Sequence, residues 1–418
     1  MGIVRSPCQP AGISEGGAIT SAYRLPGTPL HERTSALCRA SNWRRWAGYL
    51  AAGSYDLYHD REYWAIRNAA GLIDVSPLYK YLIRGPDAVR FLDRLVTRNV
   101  RKCSVGRVMY TPWCDGDGKV IDDGTLARLD ENVFRLTSAD PSLLWFHDNA
   151  AGMDVSFEDT SESTAALALQ GPNARKILKA LSAPDMDGLG FFRVMDVDVA
   201  GVQVSVSRTG YTGDLGYEIW VDADKAIPLW DALMEAGRSY GIVPTGLMAL
   251  DMARIEAGLV LITVDYVPAH QALLESQKST PLELGLAWTV DLGKESFVGR
   301  DALARQAVAG PEWQLRGLEI DWVSLEEAYG SVGLPPIVPS SAWRTSVPVY
   351  RGRGQVGYAT SGCWSPLLKK YIALVHLRGS AGIPGTNLEM EVTVEHQRLR
   401  AAATVVETPF FDPPRKRG

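Results

Sequence analysis

Two carboxylates, two tyrosines, a tryptophan and three glycines fall within the fourteen residues SRTGYTGDLGYEIW, Ser207 to Trp220, with Glu218 beside Trp220. Just upstream, VQVSVS alternates Val202, Val204 and Val206 with Gln203, Ser205 and Ser207, which is the period of a half-buried strand. YEIWV resumes that period, so Tyr217, Ile219 and Val221 share one face while Glu218 and Trp220 share the other. Glycines at 210, 213 and 216 permit positive φ in the bend between the strands and let backbone approach closely whatever fills it, a design that suits a flat ligand. A carboxylate beside aromatic faces can accept two parallel N–H bonds from an amidine-like edge, of the kind offered by the 2-amino-4-oxo ring of a pterin or a guanine. A surface glutamate on a glycine-rich hairpin has the same local signature, and the stretch by itself leaves both readings open.

Other chemistries find less support. The six histidines are scattered, with no HExxH or paired spacing, so no metal site is indicated. The five cysteines are odd in number and form no CxxC, which fits a reducing cytoplasm and neither a disulfide framework nor a zinc knuckle. With 43 basic against 48 acidic residues the net charge is -5, the wrong field for a general nucleic-acid binder. No apolar run approaches the ~20 residues of a membrane helix, and the N-terminus lacks a signal peptide's apolar segment. GRGQVG, Gly352 to Gly357, matches the dinucleotide fingerprint, but a strand-like YATSGCW follows where a helix N-terminus is needed, and no acidic residue occurs before Glu389. It is expected to be a hairpin turn.

At 418 residues and 46% hydrophobic content the chain is long enough for two or three cores. Residues 1–30, rich in Gly, Pro and Ser, are expected to be a poorly ordered tail. Strands and helices then alternate irregularly through residues 31–305, an α+β pattern. REYWAIRNAAGLIDVS predicts a helix closed by Gly71 and then a strand, and YLIRGPDAVRFLDRLVT a strand, a turn and a helix beginning at Pro86. Residues 313–407 read as a separate all-β domain, a small barrel or sandwich, with EAYGSVGLPPIVPSSAW as a long Pro-rich loop inside it.

Eight segments, AIRNAAGLIDVS, VIDDGTLARL, ALALQGPNARKIL, SRTGYTGDLGYEIW, ALDMARIEAGL, TPLELGLAWTVDL, FVGRDAL and ATSGCWSPLLKK, occur in the order and spacing of the T-protein family, which this chain resembles over most of its length. That family includes the aminomethyltransferase of glycine cleavage, the folate domain of dimethylglycine dehydrogenases and tetrahydrofolate-dependent demethylases. The resemblance implies two interleaved α+β lobes plus a C-terminal β-barrel around a central folate channel. It gives Glu218 the pterin edge and packs Tyr211 beside the ring. Trp288 in GLAW becomes a candidate lining residue, with core packing as its other reading. Arg254 and Glu256 match a helix-borne pair of the family, although Arg254 also stands three residues from Asp251, the spacing of an ordinary helical ion pair.

Two positions depart from the family pattern. Asn99 stands where aminomethyltransferases carry an aspartate near the reactive nitrogens of folate, and an amide can neither hold negative charge nor accept a proton at neutral pH. Leu250 replaces a folate-contacting arginine. Direct methyl transfer to N5 needs alignment of donor and acceptor more than a charged base. The expectation is therefore a tetrahydrofolate-dependent methyltransferase acting as a demethylase on a small-molecule sulfonium, ammonium or methoxy donor. In it Asn99 orients the reacting groups, and Tyr79, with Leu78, shapes the donor pocket; strand packing is the other reading of Tyr79. The alternatives are an aminomethyltransferase that tolerates Asn99, the one reading that calls for a lipoyl carrier protein, and a non-catalytic folate-binding protein.

Overall fold

The computed structural model describes residues 25–182 and 186–418. Most of the expected tail, residues 1–24, lies outside them. The chain nevertheless joins the fold before residue 31, because Gly27 bridges Leu50 and Leu30 is fully buried in the same core as Ala70 and Leu72. A leucine with a core to enter ends the tail a few residues early.

The first lobe is a six-stranded sheet in the order Val194–Val199, Val202–Ser207, Gly216–Asp222, Thr164–Gln170, Ala70–Asp74, Ile242–Pro244. All neighbours are antiparallel except the last pair. Alternation turns Val204, Val206, Tyr217, Ile219 and Val221 into a core shared with helices Ala174–Leu181 and Ala226–Gly237. The second lobe is a five-stranded antiparallel sheet in the order Arg107–Cys114, Val120–Asp130, Val133–Ser138, Tyr79–Arg84, Ser156–Asp159. Its inner face, with Tyr81, Ile83, Leu126, Phe134 and Leu136, covers Phe91, Leu92 and Leu95 of helix Ala88–Leu95. The chain leaves the first sheet after Asp74, builds the second, and returns at Thr164, so the two lobes are interleaved as expected.

The third lobe is a closed six-stranded barrel in the order Trp313–Ile320, Lys370–Arg378, Gly354–Ser365, Val347–Arg351, Asn387–Val394, Gln397–Val406. GRGQVG lies in the hairpin between Val347–Arg351 and Gly354–Ser365, with Gly352 at φ 59°, so the dinucleotide reading is excluded by the backbone. The Pro-rich insertion is not all loop. Helix Trp322–Gly330 runs into it, capped by Asp321 accepting from Ser324 N–H at 2.8 Å, and seats Leu325 against the barrel core.

Gly71 does not close the helix before it. That helix, Asp60–Asn68, stops earlier, and Gly71 lies within strand Ala70–Asp74, where a Cβ would come within 2.8 Å of the Thr245 hydroxyl. The bend at residues 208–215 also differs from expectation, since a side chain of the protein fills it. Gln170, completely buried, donates to Thr209 O (3.3 Å) and Tyr217 O (3.4 Å) and accepts from Thr212 Oγ1 (2.8 Å). A Cβ at either Gly210 or Gly216 would lie 2.1 Å from Gln170 Oε1, so the glycines exist for the glutamine and not for a ligand. Gly216→Ala is therefore expected to destabilise the fold by about 1–3 kcal/mol, because the inserted methyl must displace a fully bonded amide. Urea denaturation checks this, and an unchanged midpoint would remove the glutamine's claim on the bend.

Candidate functional site

Glu218 points away from the first lobe's core and shares the opposite face of the sheet with Trp220. There Trp220 packs with Ile73, Val75, Ala166, Ala168 and Leu250, and Tyr211 and Leu78 close the margin. Glu218 is half-buried; its Oε2 accepts the Thr209 hydroxyl, and its Oε1 has no partner among the described residues. Burial pushes its carboxyl pKa up, and the Thr209 hydrogen bond and the Arg135 charge oppose that rise. Tyr211 donates its phenol to Val260 O, which anchors the end of the side chain. Burial raises the phenol's pKa further, so it stays protonated.

The second lobe supplies the facing wall. Phe134 and Leu136 enter that lobe's core, so Arg135 between them projects from the other face. Its guanidinium lies 4.3 Å over the Trp220 ring, and its Nη2 is buried with no hydrogen-bond partner. Burial pulls its pKa down to about 10, against the attraction of Glu218, so it remains charged at neutral pH. On the neighbouring strand the consecutive acids of VIDDG take opposite faces. Asp122 is fully buried and accepts the N–H groups of Ala139 (3.0 Å) and Asp140 (2.9 Å). Asp123 is half-buried and accepts the phenols of Tyr110 (2.9 Å) and Tyr266. Burial raises the Asp123 pKa, while the two phenol donors favour its charged form.

Beyond Asp123 the wall continues to the surface. The Tyr110 ring stacks on Trp288 at 5.9 Å, and Arg98 lies over Trp288 at 5.4 Å. Trp288 is 62% exposed, which removes core packing as its role and puts it at the rim. Asn99 follows Arg98 and caps the turn Val100–Lys102 by accepting Arg101 N–H at 3.1 Å. Its loop is fixed by buried Lys294, whose ammonium donates to Val96 O (2.7 Å), Arg98 O (2.9 Å) and Asp93 O. Burial lowers the Lys294 pKa to about 8.

The structure thus groups Glu218 and Tyr211 on one wall and Trp288 and Asn99 along a rim. It does not bring Tyr79 to the Trp220 cluster. Tyr79 stacks on Tyr81 at 6.4 Å and packs against the second lobe's core, and Leu78 reaches Trp220 instead. Arg254, expected at the ligand, is fully buried in an ion-pair network. It bonds Asp251 at 2.9 Å and also Asp265, and Asp251 in turn holds Arg344 at 2.7 Å. Its partner in the motif, Glu256, is also dry, bound by Tyr63 (2.5 Å), Arg67 (2.9 and 2.5 Å) and Ser365 (2.5 Å). Charged groups on a helix buried on all sides must find partners within the protein, and these do.

Asp123, Tyr110, Tyr266 and Arg135 escaped the sequence reading. Two adjacent acids in the apolar strand VIDDGTLARL, and an arginine alternating with Phe134 and Leu136, were the available signals. A separate surface groove of ≈ 740 Å³, between helices Asp60–Asn68 and Ala226–Gly237 and lined by Trp64, Met234 and Ile242, shares none of these residues. No cluster of His, Cys, Asp and Glu among the described residues could hold a metal ion, and no helix among them is long and apolar enough to cross a membrane.

Residues 30–294 match the GCVT N-terminal domain, and residues 332–412 the glycine cleavage T-protein C-terminal barrel domain. Among relatives, an aminomethyltransferase of Halothermothrix orenii is 35% identical over 84% of this chain and 90% of its own. One of Moorella thermoacetica is 36% identical over 94% of this chain and 99% of its own. A crystal structure of the glycine cleavage system aminomethyltransferase T from Bartonella henselae superposes with a TM-score of 0.78, covering 93% of this chain and 99% of that one at 24% identity, which supports the three-lobed fold. The relatives overturn the demethylase expectation, because proteins named aminomethyltransferase match this chain at about 35% identity over most of its length. The weak step was to read Asn99 as the loss of the site's negative charge, when Asp123 places a carboxylate beside Tyr110 and Tyr266.

Arg254→Met is expected to lower stability by ~3–5 kcal/mol, because it strands Asp251 and Asp265 as buried charges. A chemical denaturation curve superposable on that of the unaltered protein would return Arg254 to the list of ligand contacts.

Proposed function

The chain belongs to the glycine cleavage T-protein family, and on that premise we propose that it is an aminomethyltransferase. It transfers a one-carbon unit from an aminomethyl group on the sulfur of a lipoyl carrier protein to tetrahydrofolate; the C–S and C–N bonds break, so that ammonia and the free carrier thiol are released and 5,10-methylene-tetrahydrofolate is formed. Tetrahydrofolate, when bound, supplies the nucleophilic nitrogens. At the site, one observation carries the reading: the half-buried Glu218 carboxylate, with Oε1 open, on the sheet face that carries Trp220 and, at its margin, Tyr211. Such a group accepts the paired N–H edge of a 2-amino-4-oxo ring, and the aromatic wall covers the ring's faces.

The chain's own residues divide the remaining work. Tyr211, held by Val260 O, sets the edge of the wall. Asn99, locked by its cap to Arg101 and by Lys294 beneath it, presents a neutral amide that orients without exchanging a proton. Asp123, whose charged form is favoured by two phenol donors against the opposing effect of burial, is the carboxylate nearest the proposed site of a cationic aminomethyl donor on the second lobe's wall. Trp288 at the rim, with Arg98 over its face, lines the approach. The decisive experiment mixes the protein, tetrahydrofolate and aminomethylated lipoyl carrier. Methylene-tetrahydrofolate and ammonia are expected in equal amounts, and folate that binds without turnover would instead mark a non-catalytic binding protein.

The shifted pKa of Glu218 makes a second expectation. Its folded value lies above its ordinary one, so the folded chain holds the proton more tightly than the unfolded chain. That contribution to stability is complete below the ordinary carboxylate pKa of about 4.5 and is lost as pH rises through the folded value. At neutral pH the ionised group therefore costs stability in the absence of ligand. Glu218→Gln should raise the Tm of the ligand-free protein at pH 7, and the gain should vanish below pH ~4. The same variant should weaken tetrahydrofolate binding by ~1.5–3 kcal/mol, because one charge-assisted pair is lost. Scanning calorimetry and titration calorimetry on the pair of proteins check both. A variant that binds folate as tightly as the parent removes Glu218 from the site.

A further inference from the structure

Arg135 has no role in the reading above, and its surroundings ask for one. The side chain is more than nine-tenths buried, at 8% exposure, yet Nη2 has no hydrogen-bond partner. An arginine nitrogen removed from water and left unpaired is costly, and folded proteins seldom retain one without use. The other buried guanidiniums beside the site differ in being ion-paired. Arg254 also keeps Nη2 unpaired, but its charge is neutralised by Asp251 and Asp265, and Arg67 is spent on Glu256, Thr212 O and Ala253 O. Arg135 forms no hydrogen-bonded ion pair; the acids that bear on it are Glu218 across the interface and the exposed Asp196. It is held in place by the face of Trp220, 4.3 Å away, two residues along the strand from Glu218 and on the same side.

Resting on the folate reading, we propose that Arg135 is a specificity-determining residue, which donates an N–H to the 4-oxo group of the pterin while Glu218 accepts the ring's 2-amino and N3 hydrogens. The chemistry of the ring requires such a pair. Its pyrimidine edge presents two donors and then an acceptor, so a carboxylate satisfies only part of it. A guanidinium beside that carboxylate completes the pattern, and Leu250 on the same wall offers no polar atom to do so. The two charges come from different lobes, Glu218 from the first sheet and Arg135 from the second, so only the assembled interface reads the whole edge. A ring with a 4-amino group in place of the oxo group sets donor against donor at Arg135 and, having lost the N3 hydrogen, acceptor against acceptor at Glu218, so it is rejected at both positions.

The test compares tetrahydrofolate with its 4-amino analogue by titration calorimetry on the intact chain and on Arg135→Met, Arg135→Lys and Glu218→Gln. Arg135→Met should weaken tetrahydrofolate about 10- to 100-fold and change the 4-amino analogue less than about 3-fold, which narrows the parent's preference for the oxo ring to the part that Glu218 sets at N3. Arg135→Lys should recover part of it, and Glu218→Gln should weaken both compounds because both carry the 2-amino group. The ligand-free Tm of Arg135→Met should not fall, since an unpaired buried cation has been removed. Equal weakening of both compounds, which leaves the preference undiminished, would overturn the assignment. A parent protein that binds neither compound would overturn the folate reading beneath it, and only that result does so.

Discussion

The molecule is organised around charges that have been taken out of water on one short helix. Leu247–Glu256 carries Asp251, Arg254 and Glu256, all essentially inaccessible. Each ion costs several kcal/mol to bury, and only a partner in close, well-aligned contact offsets that. The partners come from the first lobe and the barrel. Tyr63 and Arg67 of the first lobe's helix and Ser365 of the barrel meet at Glu256, while Thr360 and Ser361 of the barrel join Arg254 through Asp265. Moving either relative to the helix would leave a charge uncompensated, so the network fixes the placement of the barrel on the first lobe as much as it stabilises them. The consequence reaches the site directly. The chain leaving this helix delivers Val260 to the Tyr211 phenol and Tyr266 to Asp123, so both walls are aligned from one anchored segment.

The site follows from strand alternation in two sheets that look at each other. In each, one side of every strand is committed to its own lobe's core: Tyr217 and Ile219 in the first, Phe134 and Leu136 in the second. The residues between them, Glu218 and Arg135, can only project into the space between the lobes. Neither lobe alone has a site, and the aromatic face of Trp220 is the surface on which their charges meet. The chain crosses from one sheet to the other after Asp74 and returns at Thr164, which ties the two lobes together along the face where Glu218 and Arg135 lie.

Much of this was legible in the sequence, for identifiable reasons. Val-x-Val-x-Val followed by YEIWV gave the face on which Glu218 lies, because a period of two survives any fold that keeps the strand. Eight collinear motifs gave the three-lobed architecture. What failed was inference about neighbours distant in sequence. The glycines at 210 and 216 suggest room for a ligand, whereas Gln170, forty residues before the first of them, occupies it. Arg254 matched a motif, but its counter-charge Asp265 lies past the end of the helix, where spacing is uninformative. The two substitutions at 99 and 250 were weighed as if the site held no other charge, because nothing in VIDDG or VFRLTS says which strands will face each other.

The buried charges therefore fall into two kinds that sequence alone does not separate. Those of the helix hub are charge-paired: Glu256 has four donors, and Arg254 has two carboxylates, although its Nη2 is unpaired. Those of the interface are open. Burial drives the pKa of Glu218 up and that of Arg135 down, which means that each is less comfortable as an ion than it would be in water. Both nevertheless keep unfilled hydrogen-bonding positions, Oε1 on one and Nη2 on the other. Pairing them tightly would have relieved both and closed the pocket, and the ring of Trp220 keeps the guanidinium seated on its face instead. An interface that holds a donor and an acceptor apart, at a cost to its own stability, is pre-organised for a flat ligand carrying the complementary pattern, and the rigid hub supplies the stability that permits it.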